Sequence, residues 1–383
     1  MKKIAIIGAG ISGLFVANLF KANPNYQVTI FEKKSSIELE EGYGIQLSTN
    51  SIKLLNKIGF NEINANDKFN PEKIDFYDVK KQKKICDLNI SEFNFEDCKY
   101  TTLKRSTLVE FLKYRLDDGI IKYNHSIEKI EIKNQQISLN FNNNQNLIYD
   151  HLIISDGVFS KGKSLVSNNM IKPTYNNCIA IRGNISKSSI NNINEKNISL
   201  FVGSDFHYVI YPVGQTTDAF NFIGVLKYNL TANELNNYSL SNDQNFITNM
   251  KKQLNNKIFS NILNKLNNIK CFPIFVSKDF YKPANNIYLV GDAFFAFPPS
   301  FAQGASQSIE GASDLFDCII NKEDDFYNKR LSRVKMINNR SKLNQFAFHL
   351  SNPAVVFFRN ISLKILTKNK KFLENYLGKI YKN

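Results

Sequence analysis

The stretch from Lys3 to Glu32 constrains the fold more than any other part of the chain. Lys3-Ile4-Ala5-Ile6-Ile7 is a short, mostly apolar and β-branched run of the kind a buried parallel strand needs. It leads into Gly8-Ala9-Gly10-Ile11-Ser12-Gly13 and then an apolar helical pattern of Leu14, Phe15, Ala17, Leu19 and Phe20. Gly8 permits a tight turn, Gly10 lets a pyrophosphate approach the backbone, and Gly13 lets helix and strand pack closely. The helix N-terminus adds free N–H donors and a favourable dipole. Gln27-Val28-Thr29-Ile30-Phe31 reads as a second strand and ends in Glu32, 19 residues after Gly13. That is where an acceptor for ribose hydroxyls belongs. An isolated G-x-G-x-x-G says little, but strand, glycine turn, helix, strand and acid in order describe a dinucleotide-binding βαβ unit. The acid suits an unphosphorylated ribose, so FAD or NAD is favoured over NADP.

The remainder is consistent with a large globular protein. The chain has 383 residues, 43% hydrophobic and 22% charged, which excludes a disordered chain and a small disulfide-stapled scaffold. Lys+Arg 49 against Asp+Glu 34 leaves a net charge of +15. That balance permits attraction to anionic partners, but a general Lys/Asn/Ile bias is the preferred reading, and no nucleic-acid-binding module accompanies it. Cys86, Cys98, Cys178, Cys271 and Cys318 lie far apart without C-x-x-C spacing, as expected of buried thiols in a reducing compartment. With only four histidines, no metal centre is expected. Lys2-Lys3 and the apolar run from Ile4 to Phe20 imitate a signal peptide, yet glycines interrupt the run and no small-residue cleavage site follows. No long uncharged apolar stretch appears elsewhere. The expected location is the cytoplasm.

Four further segments separate FAD from NAD. Gly42-Tyr43-Gly44-Ile45-Gln46-Leu47 precedes Ser48-Thr49-Asn50-Ser51 and an amphipathic run, and Arg105 follows Leu103-Lys104. The apolar Leu152-Ile153-Ile154 ends in Ser155-Asp156-Gly157. Ile287-Tyr288-Leu289-Val290 ends in Gly291-Asp292-Ala293, followed by Pro298-Pro299 and Gln303-Gly304-Ala305. An acid just past a buried strand, with Gly beside it, can bind a ribityl or ribose hydroxyl while the backbone stays close. Gly304 can open a helix whose N-terminal amides face an electron-rich ring.

Taken in order, these motifs resemble the group A flavoprotein monooxygenases with the p-hydroxybenzoate-hydroxylase fold, above all their salicylate- and 3-hydroxybenzoate-hydroxylase-like branch, over about residues 3–350. The resemblance implies an α/β fold: a Rossmann-like FAD-binding domain (1–70, 98–170 and 275–335), an inserted antiparallel-sheet substrate domain (71–97 and 171–274) and a C-terminal helical segment (336–383). It places Gly8, Gly10, Ser12, Gly13, Glu32, Lys33, Gly44, Arg105, Asp156, Gly157, Gly291, Asp292, Gly304 and Ala305 around FAD, with NAD(P)H a transient co-substrate. The implied activity is hydroxylation of a small phenolic or hydroxybenzoate-like aromatic by O₂ through a flavin C4a-hydroperoxide. Two departures stand out. The family's DG-x-x-S-x-x-R is met here by Asp156-Gly157, Ser160 and Lys163, and Phe294, Phe295 and Phe297 follow the Gly291-Asp292-Ala293 turn, where bulky rings have room to narrow or reshape the cavity near the flavin or to leave it unchanged.

Such chemistry gains from a base that turns a phenol into a phenolate, and histidine is suited to it near neutrality. His207 lies four residues before Tyr211 on an expected strand, so both point to one face. The surrounding G-x-x-x-H-x-x-x-Y-P pattern, Gly203 to Pro212, resembles the substrate-domain strand of the same branch. It makes His207 the expected base, with Tyr211 and Gln303 near the substrate and Pro299 in a rigid wall that excludes water. His125, His151 and His349 read as structural, and Arg182-Gly183 as much structural as substrate-facing. Residues 355–366 are apolar and basic and run into Lys368, Lys370 and Lys371. The expectation is a helix packed on the flavin domain, with weak contact to an anionic membrane surface as the other reading. The alternatives to a small-phenol hydroxylase are a hydroxylase of a polyprenylated phenol in quinone biosynthesis and a flavoprotein that does not oxygenate.

Overall fold

Ile4 to Ile7 are buried on both faces because Lys2–Ile7 is the central strand of a parallel sheet. The computed structural model describes residues 1–383 except 38, 40–42, 191–192, 236, 238, 256–260, 285, 324 and 383. Gly42 of the Gly42-Tyr43-Gly44 motif therefore lies outside the described residues. The sheet has five strands in the order Ile287–Leu289, His151–Ile154, Lys2–Ile7, Tyr26–Phe31 and Ile121–Lys122, all parallel. The Ile11–Lys21 and Gly304–Asn321 helices pack on it, and Phe20 meets Phe316 edge to face at 5.0 Å. Parallel strands end at one edge. Here that edge collects the turn after Ile7, Ser155 to Gly157 after Ile154, and Gly291-Asp292 after Leu289, where ligands of open α/β sheets bind.

A second sheet stands across that edge. Its seven strands run Leu266–Val276, Thr174–Ser186, Ala219–Lys227, Phe206–Pro212, Ile198–Gly203, Lys73–Asp78 and Lys84–Asn89. Every pairing is antiparallel except Ile198–Gly203 against Lys73–Asp78. Alternating stretches at Ile74–Asp78, Ile198–Val202, His207–Tyr211 and Phe220–Leu226 all fall in strands of this sheet. Alternation divides its faces. Phe206, Tyr208 and Ile210 join a core closed by Phe246, Ile247, Met250 and Leu254 of the Gln244–Asn255 helix. His207, Val209 and Tyr211 face the other way, into a cavity. The long Phe326–Phe348 helix, the Pro353–Leu366 helix and short turns ending at Tyr381 close that cavity's far wall. Among the described residues no helix is long and apolar enough to cross a membrane. The five cysteines are buried and unpaired, and burial pushes the Cys178 thiol up to about 11.

Candidate active site

The glycine turn is built tightly. Gly8 has φ +99°, and a Cβ there would lie 2.8 Å from the Asp156 Cα and 2.9 Å from the Ser155 carbonyl oxygen. Ser155 Oγ donates to the Ile7 and Gly8 carbonyls at 2.9 and 3.0 Å, which locks the turn to the neighbouring strand. Glu32 accepts from the Ala9 N–H at 2.9 Å and the Lys34 N–H at 3.0 Å. The carboxylate is thereby held at the end of the second strand, with lone pairs left for hydroxyl donors.

One cavity of about 690 Å³ runs from this edge to the second sheet. Gly10, Ser12, Gly157, Arg105, Asp292, Gly304 and Ala305 line one end. Asp292 is open to the cavity yet ringed by protein. That burial pushes its carboxyl up to about 6, against the pull of Lys163 and Arg105. The Gly304–Asn321 helix starts at the cavity, and no side chain caps it. Its first amides are left for a ligand.

The other end carries His207, Tyr211, Gln46, Tyr100 and Arg182 amid apolar walls such as Phe76, Leu200, Val209, Ile223 and Phe301. His207 Nδ1 lies 2.8 Å from His349 Nε2, and the Phe348 ring meets the imidazole edge to face at 5.2 Å. Burial, with His349 adding to it, holds the His207 pKa well below the usual histidine range. Burial likewise pushes the Tyr211 phenol up to about 12, with Arg182 and a Gln46 hydrogen bond pulling the other way. The Tyr100 hydroxyl donates to Gln46 Oε1 at 2.8 Å. Gly44 is where the two ends meet: its N–H donates to Asn221 Oδ1 at 2.6 Å, and a Cβ there would sit 2.8 Å from the Tyr211 ring.

Residues 6–37 match a family model described as an NAD(P)-binding Rossmann-like domain. Among curated proteins, 3-amino-4-hydroxybenzoate 2-monooxygenase of Streptomyces cremeus is 24% identical over 227 residues, 58% of this chain and 57% of that protein. The chain thus matches little more than half the length of that relative. A solved salicylate hydroxylase substrate complex superposes with TM-score 0.80 at 16% identity, covering 100% of this chain and 95% of the other. Klebsiella pneumoniae HpxO complexed with FAD and uric acid gives 0.79 at 16% identity, covering 98% and 95%. The fold is that of the group A flavoprotein hydroxylases.

Within that fold the expected residues take several different places. Gly10, Ser12, Gly44, Arg105, Gly157, Asp292, Gly304, Ala305, Pro299, His207 and Tyr211 line the cavity together. Gly8, Gly13 and Gly291 shape the turns behind it: a Cβ on Gly13 would meet the Gly8 carbonyl, and one on Gly291 the Ser12 hydroxyl. Lys33 is exposed at the sheet edge and does not line the cavity. Asp156 also stands outside the lining, because its carboxylate accepts from Ser160 Oγ and, at 2.9 Å, from the Gly162 N–H, capping the Lys161–Val166 helix. Gln303 is turned away as well, its Nε2 3.4 Å from Ser48 Oγ. Phe294 and Phe295 do not line the cavity. They are core residues, Phe295 stacked on Phe280 at 4.6 Å, and only Phe297 of the three lines it.

The sequence marks His349 only as structural and gives Gln46, Tyr100 and the cavity-lining Arg359, Tyr376 and Tyr381 no role. None has a local signature, and His349 reaches His207 across 142 residues of chain.

The strand-edge end fits FAD. The close-packed glycine turn, the fixed Glu32, the uncapped helix start and the Asp292 carboxylate open to the cavity match a dinucleotide and its ribityl hydroxyls in shape and donor set.

Proposed function

We propose that the chain is an FAD-dependent monooxygenase that uses NAD(P)H and O₂ to hydroxylate a small phenolic or hydroxybenzoate-like aromatic. The observation that carries this reading is the single cavity with a dinucleotide-binding edge at one end and a buried histidine among phenols at the other. The likeness to 3-amino-4-hydroxybenzoate 2-monooxygenase and to the salicylate hydroxylase complex supports it. Gly10, Ser12, Gly157, Arg105, Asp292 and Gly304 would hold the cofactor. FAD supplies hydride acceptance from NAD(P)H and activation of O₂.

The chain's own part is to bind, orient and deprotonate the aromatic. His207 is neutral near neutral pH, and its Nδ1 is engaged by His349. A phenol proton therefore goes to Nε2 of the tautomer whose Nδ1–H already donates to His349 Nε2, which spreads the developing charge over two rings. Tyr211 stays protonated and can donate to a substrate oxygen, while Tyr100, also protonated, holds Gln46 beside it. Pro298, Pro299, Phe297 and Phe301 form a wall that keeps water from the reacting atoms.

His207→Ala should lower hydroxylation by about 10²–10⁴-fold while FAD remains bound. Because the His207 pKa is depressed, the acid limb of the wild-type profile should lie below pH 6.5. Unchanged product formation in His207→Ala across the pH range would remove the assignment.

A second reading, hydroxylation of a polyprenylated phenol, draws on the apolar strip that Leu343, Leu363, Leu366 and Leu377 add to the same cavity. KM falling steeply with prenyl chain length would favour it over the small phenol.

A further inference from the structure

The Pro353–Leu366 helix is apolar on two opposite sides. Its inner side packs on the molecule, and Arg359, Leu363 and Leu366 line the cavity. On its outer side Phe357, Phe358, Ile361 and Ile365 are 61%, 65%, 40% and 60% exposed. At 100° per residue these four fall on one stripe, where a surface helix ordinarily carries polar groups. Phe357 and Phe358 touch only edge to face, at 5.7 Å. Exposed apolar residues standing singly need no explanation, but a contiguous stripe of them marks an interaction site.

The charge around this stripe names the partner. From Phe326 to Leu373 the chain has eleven Lys and Arg and no Asp or Glu. Arg330 and Arg333 are engaged by Glu310, but Lys364, Lys368, Lys370 and Lys371 are exposed beside the stripe. A second copy of the chain packed on the same face would bring its own lysines against these. At about 1.5 Å per residue, 14 residues give about 21 Å, too short to cross a hydrocarbon core of about 30 Å.

We propose that the outer face of the Pro353–Leu366 helix docks on an anionic lipid surface, with Phe357, Phe358, Ile361 and Ile365 entering the headgroup boundary and Lys364, Lys368, Lys370 and Lys371 meeting the lipid charge. Docking does not depend on the reaction proposed above. It places the helix between the lipid and the cavity.

Co-sedimentation of the full chain with phosphatidylcholine vesicles, with and without phosphatidylglycerol, tests the proposal. Binding should require the anionic lipid and fall with added salt. Lys368→Glu/Lys370→Glu/Lys371→Glu should weaken it by about tenfold or more. Phe357→Ser/Phe358→Ser should abolish it without lowering the melting temperature, since both rings are exposed. If that variant fails to fold, the lysine variant alone decides. Equal pelleting on both vesicles, no binding at low salt, or wild-type binding by the lysine variant would overturn the proposal. So would a dimer, by light scattering, that the Phe357→Ser/Phe358→Ser chain cannot form. None of these outcomes bears on hydroxylation, which is assayed with soluble phenols.

Discussion

His151 shows how far one residue can depart from its surroundings. It sits in the parallel sheet opposite Ile4, its two ring nitrogens buried without a hydrogen-bond partner, its ring between Tyr26 and Tyr288. Burial, helped by Lys2 and opposed by Asp150, lowers its pKa to about 4. An unfolded histidine titrates near 6.5, so the unfolded state binds more protons between those values. The neutral ring's contribution is then whole above pH 6.5 and is lost as pH falls toward 4. His207, also held low, adds to the same acid loss. His151→Leu should leave the fold intact and flatten the dependence of urea midpoint on pH in that window; an unaltered slope would count against the assignment. Asp292 has the opposite sign. Its carboxyl is raised from 3.8 to about 6, so its ionisation removes stability as pH rises between those values, and the loss is complete above about 6. Asp292→Asn should therefore raise the melting temperature of the FAD-free chain at pH 7 while weakening FAD binding by tenfold or more, about 1.4 kcal/mol. A fall in both, measured by thermal melts and flavin fluorescence titration, would contradict that division of roles.

Elements with local signatures were the legible ones. The Gly8 turn, the Ile287–Leu289 strand with its Gly291-Asp292 end and the strand bearing His207 and Tyr211 each combine a periodicity with turn chemistry that adjacent residues supply. The sequence does not show that the Asp156 carboxylate also accepts from Ser160 Oγ and the Gly162 N–H, because nothing local marks 161–166 as a helix that needs a cap. Nor could it join the C-terminal helices to the cavity, since that contact rests on packing between distant segments. The join runs through Glu310, which accepts from Arg330 at 2.7 Å, from Arg333 at 2.7 Å and from Asn50 at 2.6 Å. Burial pushes this carboxyl up, but the two guanidinium groups outweigh it and hold it below its usual range. Arg333 also donates to the Lys379 and Ile380 carbonyls, pinning the chain's end. Arg330→Met leaves Glu310 and Asp314 short of a partner and should cost about 3–5 kcal/mol in urea denaturation. Gly8→Ala puts a Cβ against the next strand at positive φ and should destroy FAD binding first, read as loss of bound flavin on purification.

At the scale of the molecule, the parallel sheet, the seven-stranded sheet and the C-terminal helices matter because all three supply walls of one cavity. The sheet edge offers backbone turns and a carboxylate, the second sheet a histidine and phenols, and the helices His349 and an apolar lining. With these ends acting together, oxidation of a nicotinamide and oxygenation of an aromatic are coupled. The direct measurement is NAD(P)H oxidation by the FAD-loaded chain against a panel of phenols and hydroxybenzoates, with hydroxylated product and hydrogen peroxide both quantified. The expected result is that at least one aromatic accelerates oxidation and is converted to product in near-stoichiometric amount, with the coupling lost in His207→Ala. Oxidation that no aromatic accelerates, or that yields peroxide alone with every one of them, would contradict it.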